Sequence, residues 1–177
     1  MRDEFLIFAR YNQEANKAIF SILDKLSNGE REEERGSYYG SLSGLVRHIA
    51  GGTAFFLGMF KAPLQKNADA QKAIAAVEGL VISKEKLNDE QWKDLYKVLE
   101  TGDKAFIALI SSLSEADFKA PVPINWYGGN PAEVPLSFML QNLVAHGTHH
   151  RGQISQILDS LKIDNDYSGI NAAFLAK

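Results

Sequence analysis

Three histidines have the residue type and the positions to bind a divalent metal ion. His146 and His150 are four residues apart in a stretch with helical periodicity, and His48 lies far upstream in a second such stretch. Since an α-helix turns by ~100° per residue, His150 lies about 20° and His146 about 60° from the centre of the apolar stripe that contains Leu143. Three converging imidazoles suit a divalent ion with an open coordination position, as in catalytic sites.

The same histidines also permit a structure without metal. An inward imidazole costs free energy unless its ring nitrogens are satisfied, and a single one is usually a core residue bonded to a backbone carbonyl. A pair of histidines at i, i+4 also arises by chance. His149 lies about 120° from the stripe and is not expected to join the other three. A metal-free structural bundle therefore stays open as an alternative.

Three residues beside the histidine pair are candidates for supporting roles. Arg151, on the flank of the last helix, either binds an anionic group of a substrate or forms a structural ion pair, and the second role is favoured. His149 and Gln153 either hydrogen-bond to the metal ligands or face solvent. Gly152 is expected to permit close packing of helices.

The apolar periodicity predicts an all-α protein built from four long helices. The first carries an apolar stripe that includes Phe5, Phe8, Ala15 and Ile19. It ends at Ser27-Asn28-Gly29, where glycine favours a helix C-terminus. The other three are expected from Ser41 to Phe60, from Asn88 or Asp89 to Leu113, and from Pro135 to Leu161. Glycines 44, 51, 52 and 58 are costly inside the second helix, and a close approach by another helix would explain some of them.

The connections are predicted to be short or irregular. Glu30 to Gly36 is a charge run that favours a solvated loop, and a short helix is expected after Asp69. Residues 119–133 predict a loop or a hairpin that turns at Gly128-Gly129. Its Trp126 and Tyr127 either rim a pocket or cover the end of the bundle. The tail, residues 162–177, either folds back as a final turn or packs on a partner.

Composition narrows the class of protein. The 177 residues predict a single domain, 1–177, with 45% hydrophobic and 23% charged residues. The net charge of −3 gives no reason to expect a nucleic-acid partner. No cysteine is present, which excludes disulfides and protein thiolates and fits a cytoplasmic protein. The N-terminus lacks the apolar core of a signal peptide, and no apolar stretch approaches the ~20 residues of a membrane span.

The run from His146 to Gln153 reads H-x-x-x-H-R-G-Q and resembles the end motif of the DinB/YfiT-like superfamily. The Tyr11-Asn12 pair resembles that family's first helix, and His48 matches the position of its first ligand. The Gly- and Pro-rich loop before the last helix also fits. The resemblance covers about residues 3–161.

The resemblance implies a four-helix bundle of up-down-down-up topology with a three-histidine site. The implied ligands are His48, His146 and His150, holding zinc or nickel most often, with cobalt, iron or manganese also compatible. It further implies a homodimer and a small-molecule substrate, including a low-molecular-weight thiol in some members. No motif in the chain marks a particular thiol.

The function expected from these observations is a metal-dependent enzyme of the thiol-dependent transferase or hydrolase type. A divalent ion with neutral ligands would lower the pKa of a bound water or substrate thiol. Two alternatives remain: a non-catalytic metal-binding module associated with stress, and the metal-free bundle.

Overall fold

The structure, a computed structural model, describes residues 1–83, 85–125, 131–167, 169–170 and 174–175. Its architecture confirms the prediction of an all-α bundle with a short hairpin before the last helix. The four long helices are α1 (Arg2–Leu23), α3 (Leu42–Met59), α5 (Asp89–Ser112) and α6 (Leu136–Ser160). The shorter elements are α2 (Asn28–Glu32), α4 (Ala68–Ala75), a 3₁₀ turn (Asp117–Lys119), β1 (Pro121–Ile124) and β2 (Ala132–Pro135).

Two hydrophobic clusters at opposite ends of the bundle show the direction of each long helix. One cluster joins the start of α1 and α6 to the end of α3 and α5, through Phe5, Met139, Phe56 and Phe106. The other joins the end of α1 and α6 to the start of α3 and α5, through Ile19, Leu158, Leu45 and Leu95. Therefore α1 and α6 run one way and α3 and α5 the other, which is the up-down-down-up topology.

Side-chain caps explain where α3 and α5 begin. The Ser41 hydroxyl accepts a hydrogen bond from the Gly44 amide, and Asn88 forms a reciprocal capping box with Gln91. Both helices begin where the sequence predicted, at Ser41 and at Asn88 or Asp89. Phe8 was predicted to lie on the buried side of the first helix, but its side chain is 39% exposed. The buried side of α1 runs through its neighbour Ala9 instead.

The predicted stop at Ser27-Asn28-Gly29 is wrong, because these residues begin a helix. The first helix ends at Leu23, and Ser27 caps the short α2. The Ser27 hydroxyl accepts from the Glu30 amide while the Glu30 carboxylate accepts from the Ser27 amide. This reciprocal cap satisfies amides at the start of α2, so the sequence signal of a serine followed by glutamate three residues later decides the outcome.

The charge run after Gly29 forms the predicted solvated loop only from Glu33 to Gly36, because Glu30 to Glu32 belong to α2. Arg31 and Glu32 are buried, and each has a partner. Arg31 donates to the Asp89 carboxylate at 2.6 Å and lies over the ring of Trp92, and Glu32 accepts from the Leu87 amide. Because their charges are satisfied, these residues can leave solvent and fix α2 against the start of α5.

The hairpin before α6 has the predicted antiparallel form. Val122 pairs with Val134 between β1 and β2. The predicted turn at Gly128-Gly129 lies outside the described residues, as do Trp126 and Tyr127. Pro135 was expected at the first position of the last helix but precedes it as the N-cap.

The described residues of the C-terminal tail pack on the protein's own bundle, as in one of the two alternatives predicted. The Tyr167 hydroxyl donates to the Arg151 carbonyl, and the Phe174 carbonyl accepts from Arg10. The Phe174 ring meets the edge of Tyr11. No helix in the described ranges is long and apolar enough to cross a membrane.

Candidate metal centre

His48, His146 and His150 come together between α3 and α6. Nε2 of His48 lies 2.8 Å from Nε2 of His146, and the His150 ring centroid lies 4.4 and 4.5 Å from those of His48 and His146. Each side chain offers one ring nitrogen, and the three nitrogens lie within 4.8 Å of one another. We call these three residues the histidine cluster. The convergence expected from helical periodicity is therefore present.

Glycine at position 52 allows α3 to approach the histidine cluster closely. A Cβ atom built on Gly52 would lie 3.0 Å from Nδ1 of His146 and even closer to Cε1. Since Cβ atoms do not tolerate such contacts, the His146 ring can rest on the α3 backbone only because residue 52 has no side chain. A close helix approach was the expected reason for some of the glycines in this helix.

Tyr39 holds the His48 ring from the other side. Its ring stacks on His48 with centroids 3.7 Å apart and planes 19° apart, and it meets His150 edge-on at 5.2 Å. The backbone at this point is fixed, because the Tyr39 carbonyl lies against Gly44 and accepts from the Ser41 amide. The sequence analysis missed Tyr39, since a loop residue has no periodic signal.

Gln153 fixes the orientation of His150. Nδ1 of His150 lies 2.7 Å from Oε1 of Gln153. An amide oxygen only accepts, so the imidazole nitrogen Nδ1 is the donor and Nε2 keeps its lone pair. Of the two roles considered for Gln153, the structure thus supports hydrogen bonding to the candidate ligand.

The surroundings favour neutral imidazoles. Burial, reinforced by the positive charge of a protonated His150, lowers the pKa of His48 to about 4 and that of His146 to about 4. Burial also lowers the pKa of His150, although the Gln153 hydrogen bond opposes this. The rings are therefore unprotonated at neutral pH, which is the form that binds metal.

These residues fit a divalent ion. Ligand nitrogens ~2.1 Å from a tetrahedral ion are about 3.4 Å apart, so Nε2 of His48 and Nε2 of His146 need to separate by only about 0.6 Å. Neutral nitrogen ligands suit zinc or nickel among the first-row metals. Without metal, the present 2.8 Å separation is explained by one N–H···N hydrogen bond between the two rings.

A cavity of about 1010 Å³ opens beside His48 and His146. Its walls are mainly aromatic, aliphatic and glycine residues, and its polar side chains include Arg47 and Asn142. The lining residues among the described part of the chain are Tyr39, Gly44, Arg47, His48, Gly51, Gly52, Phe55, Phe56, Ile82, Ser83, Asn142 and His146. Arg47, Asn142 and Ile82 were not among the predicted site residues.

Arg151 is not on the flank of α6 and lies outside the cavity lining. It is 2% exposed, and its Nη1 donates to Oδ1 of Asn12 at 2.5 Å and of Asn16 at 3.0 Å. The side-chain amides of both asparagines donate in turn to the Asp103 carboxylate. We call Asn12, Asn16, Asp103 and Arg151 the amide network. The favoured role as an ion pair is thus corrected, because two amides separate the charges.

The prediction for His149 agrees with the structure, and the prediction for Gly152 does not. His149 is exposed, and its ring lies 4.8 Å from His150 without belonging to the group of three. Gly152 was expected to permit close packing, which is wrong, because a Cβ there would meet nothing within 4 Å. That role belongs to Gly147, where a Cβ would lie 2.9 Å from the Asn12 side chain.

Comparison with known proteins agrees with this geometry. A model of the DinB family matches residues 1–161. The chain belongs to the DinB family. The match includes all four long helices and the three histidines. Comparisons of this DinB-family protein with curated proteins and with solved structures gave no match.

Proposed function

We propose that this DinB-family protein is a metal-dependent enzyme in which His48, His146 and His150 hold a divalent cation, zinc or nickel. The observation that supports this best is three neutral imidazoles whose nitrogens lie within 4.8 Å of one another beside a large cavity. Three protein ligands leave a four-coordinate ion with one position for a water or substrate atom, as in catalytic sites.

The bound ion would supply Lewis acidity, which lowers the pKa of a water or thiol beside it. The protein's own residues orient the ligands: Gln153 keeps the proton of His150 on Nδ1, and Tyr39 packs on the face of His48. The apolar walls limit water around the reacting group. Because the chain has no cysteine, a reacting thiol would come from the substrate. The reaction class is a thiol-dependent transfer or a hydrolysis.

The metal-free structural bundle is the competing function, and the His48–His146 hydrogen bond favours it. The metal content of protein prepared without a histidine tag distinguishes the metal-dependent enzyme from the metal-free bundle. We expect one equivalent of zinc or nickel by mass spectrometry, loss of that metal in His146→Ala, and retention in His149→Ala, which removes an exposed histidine of the same helix. Gln153→Ala is expected to weaken metal affinity by about 10- to 100-fold.

Equal metal content in His146→Ala and His149→Ala would contradict the metal site. Catalysis needs a separate measurement, in which loaded and chelated protein are compared for turnover of an electrophile with a small thiol and for hydrolysis without one. We expect turnover only in the loaded protein and in loaded His149→Ala. Equal rates with and without metal would contradict the enzyme and leave a non-catalytic metal-binding module.

A further inference from the structure

The charges around the cavity are unbalanced. Among the described residues that line it, Arg47 is the only one with a formal charge, and no aspartate or glutamate is present. The imidazoles of His48 and His146 would bind an ion as uncharged ligands and would not offset its charge. A divalent ion held there would therefore keep its charge uncompensated by the cavity lining. Such a site favours a ligand that brings a negative charge.

Arg47 adds a second cationic group next to His48. Its Nη1 donates to the carbonyls of Ser83 at 3.4 Å and Glu85 at 2.5 Å. Its Nη2 forms an ion pair with the buried Glu32 carboxylate at 3.9 Å, a distance too long for a hydrogen bond. The two carbonyls and Glu32 thus hold the guanidinium in place. Nη2 makes no hydrogen bond within the described part of the chain and remains available to an anion.

The rest of the cavity offers an apolar surface. Phe55 is 57% exposed, Ile82 is half-buried, and Gly51 leaves space between the α3 backbone and Ile82. Phe55 also lines a second cavity of about 820 Å³, together with Met59 and other residues. The apolar surface therefore continues away from the histidine cluster. Among the described residues that line the second cavity, Glu133 is the charged one, and its carboxylate disfavours an anion at that end.

We propose, on the basis of the proposed metal site, that this cavity binds an amphipathic carboxylate. The carboxylate would lie between the metal position and Arg47, and its hydrocarbon body would lie along Phe55 and Ile82. The ion and the Arg47 guanidinium form the positively charged end of the cavity. The wall shared with the second cavity forms its apolar end. The substrate class is thus a small organic acid with an extended apolar chain or ring.

Calorimetry of the full-length, zinc-loaded protein tests this with butyrate, hexanoate and octanoate, and with 1-octanol and octylamine as uncharged and cationic counterparts. We expect affinity to rise by about fourfold for each added methylene that the wall buries. Octanoate is expected to bind at least about tenfold more tightly than 1-octanol or octylamine, as for a hydrogen bond to a charged group. Zinc content is measured on the same samples.

Substitutions at two positions, Arg47 and Ile82, test where each end of the ligand binds. Arg47→Gln is expected to lower the affinity for octanoate by about tenfold and to leave the affinity for 1-octanol unchanged. Arg47→Lys is expected to keep part of the affinity for octanoate. Ile82→Ser should flatten the dependence on chain length. Arg2→Gln removes an exposed cation outside the cavity lining. It should change neither the affinity for octanoate nor the dependence of affinity on chain length. Thermal melts verify that each variant is folded.

The outcomes separate this inference from the proposed function. Full zinc content without preference for octanoate over 1-octanol, or without dependence on chain length, overturns the amphipathic carboxylate alone. Unchanged octanoate binding in folded, zinc-loaded Arg47→Gln overturns the role of Arg47. Absence of zinc in the wild-type protein overturns the metal site and this inference with it.

Discussion

The histidine cluster and the amide network meet at two adjacent residues of α6, His150 and Arg151, yet they differ in surroundings. The amide network is buried and its members bond to one another, since Arg151 donates to Asn12 and Asn16 and these donate to Asp103. The histidine cluster lies beside a cavity and carries imidazoles that are kept neutral by burial. Buried polar groups that bond to one another hold helices together, whereas imidazoles with a free lone pair next to a cavity can bind a ligand.

The strongest way to break this comparison is Arg151→Met. Removing the guanidinium leaves the side-chain oxygens of Asn12 and Asn16 without their donor and leaves the Asp103 carboxylate without a nearby cation. We expect the free energy of unfolding to fall by ~3–5 kcal/mol in urea titrations, as for other buried charge networks that lose one partner. The folded fraction should still bind zinc within about threefold of wild type, less than the ~10-fold loss typical of altered ligand support.

Lys97→Met is the matched control for Arg151→Met, because it removes a cation from an exposed pair with Asp94. That change should cost less than ~1 kcal/mol. If folded Arg151→Met loses zinc completely, the two regions are one functional unit and the comparison is wrong.

The two regions also predict opposite dependence of stability on pH. Burial raises the pKa of Asp103 to about 7, although the Asn16 hydrogen bond and the Arg151 charge oppose the rise. Between about pH 4 and 7 the folded state therefore holds a proton that the unfolded chain has lost, and this contribution to stability declines as pH rises. In the metal-free protein, His48 and His146 have the opposite effect on the pH dependence of stability. Between about pH 4 and 6.5 the unfolded chain holds more protons, so their contribution grows as pH rises.

Asp103→Asn isolates the amide-network contribution. With chelator present, we expect the variant's free energy of unfolding to rise more steeply with pH between pH 5 and 7 than that of wild type. The difference in slope is at most ~1.4 kcal/mol per pH unit, the value for one proton. Asp94→Asn, at an exposed position, serves as the control and should follow wild type. Parallel curves for Asp103→Asn and wild type would show that Asp103 is ionised in the folded protein.

Helical periodicity predicted the histidine cluster but not the amide network. The three histidines lie on apolar stripes, and a polar residue on such a stripe is visible from spacing alone. Asn12 and Asn16 carry the same kind of signal, four residues apart on the buried side of α1. Without knowledge of which helix faces them, Arg151 could not be assigned as their partner. The network depends on α1 packing against α5 and α6, which no local pattern encodes.

Tyr39 was missed for a related reason. The path of residues 33–41 depends on Gly36 and Gly40, which adopt positive φ angles of 72° and 78°. Positive φ is accessible mainly to glycine, but a glycine in a sequence does not reveal which way the chain turns. The caps of α3 and α5 were predictable, because a capping side chain bonds within three residues of itself.

The smallest expected effect compares two glycines of the same helix. In Gly52→Ala the new Cβ would collide with the His146 ring, which lies within 3.0 Å of that position, so the ring must move. We expect zinc affinity to fall by about tenfold, as when the support of a metal ligand is altered. In Gly58→Ala the Cβ meets nothing within 4 Å, so zinc affinity should stay unchanged and stability should rise by up to ~1 kcal/mol. Competition with a chromogenic chelator measures both affinities. If Gly52→Ala binds zinc as tightly as Gly58→Ala, the His146 ring does not rest on α3 in the metal-bound protein.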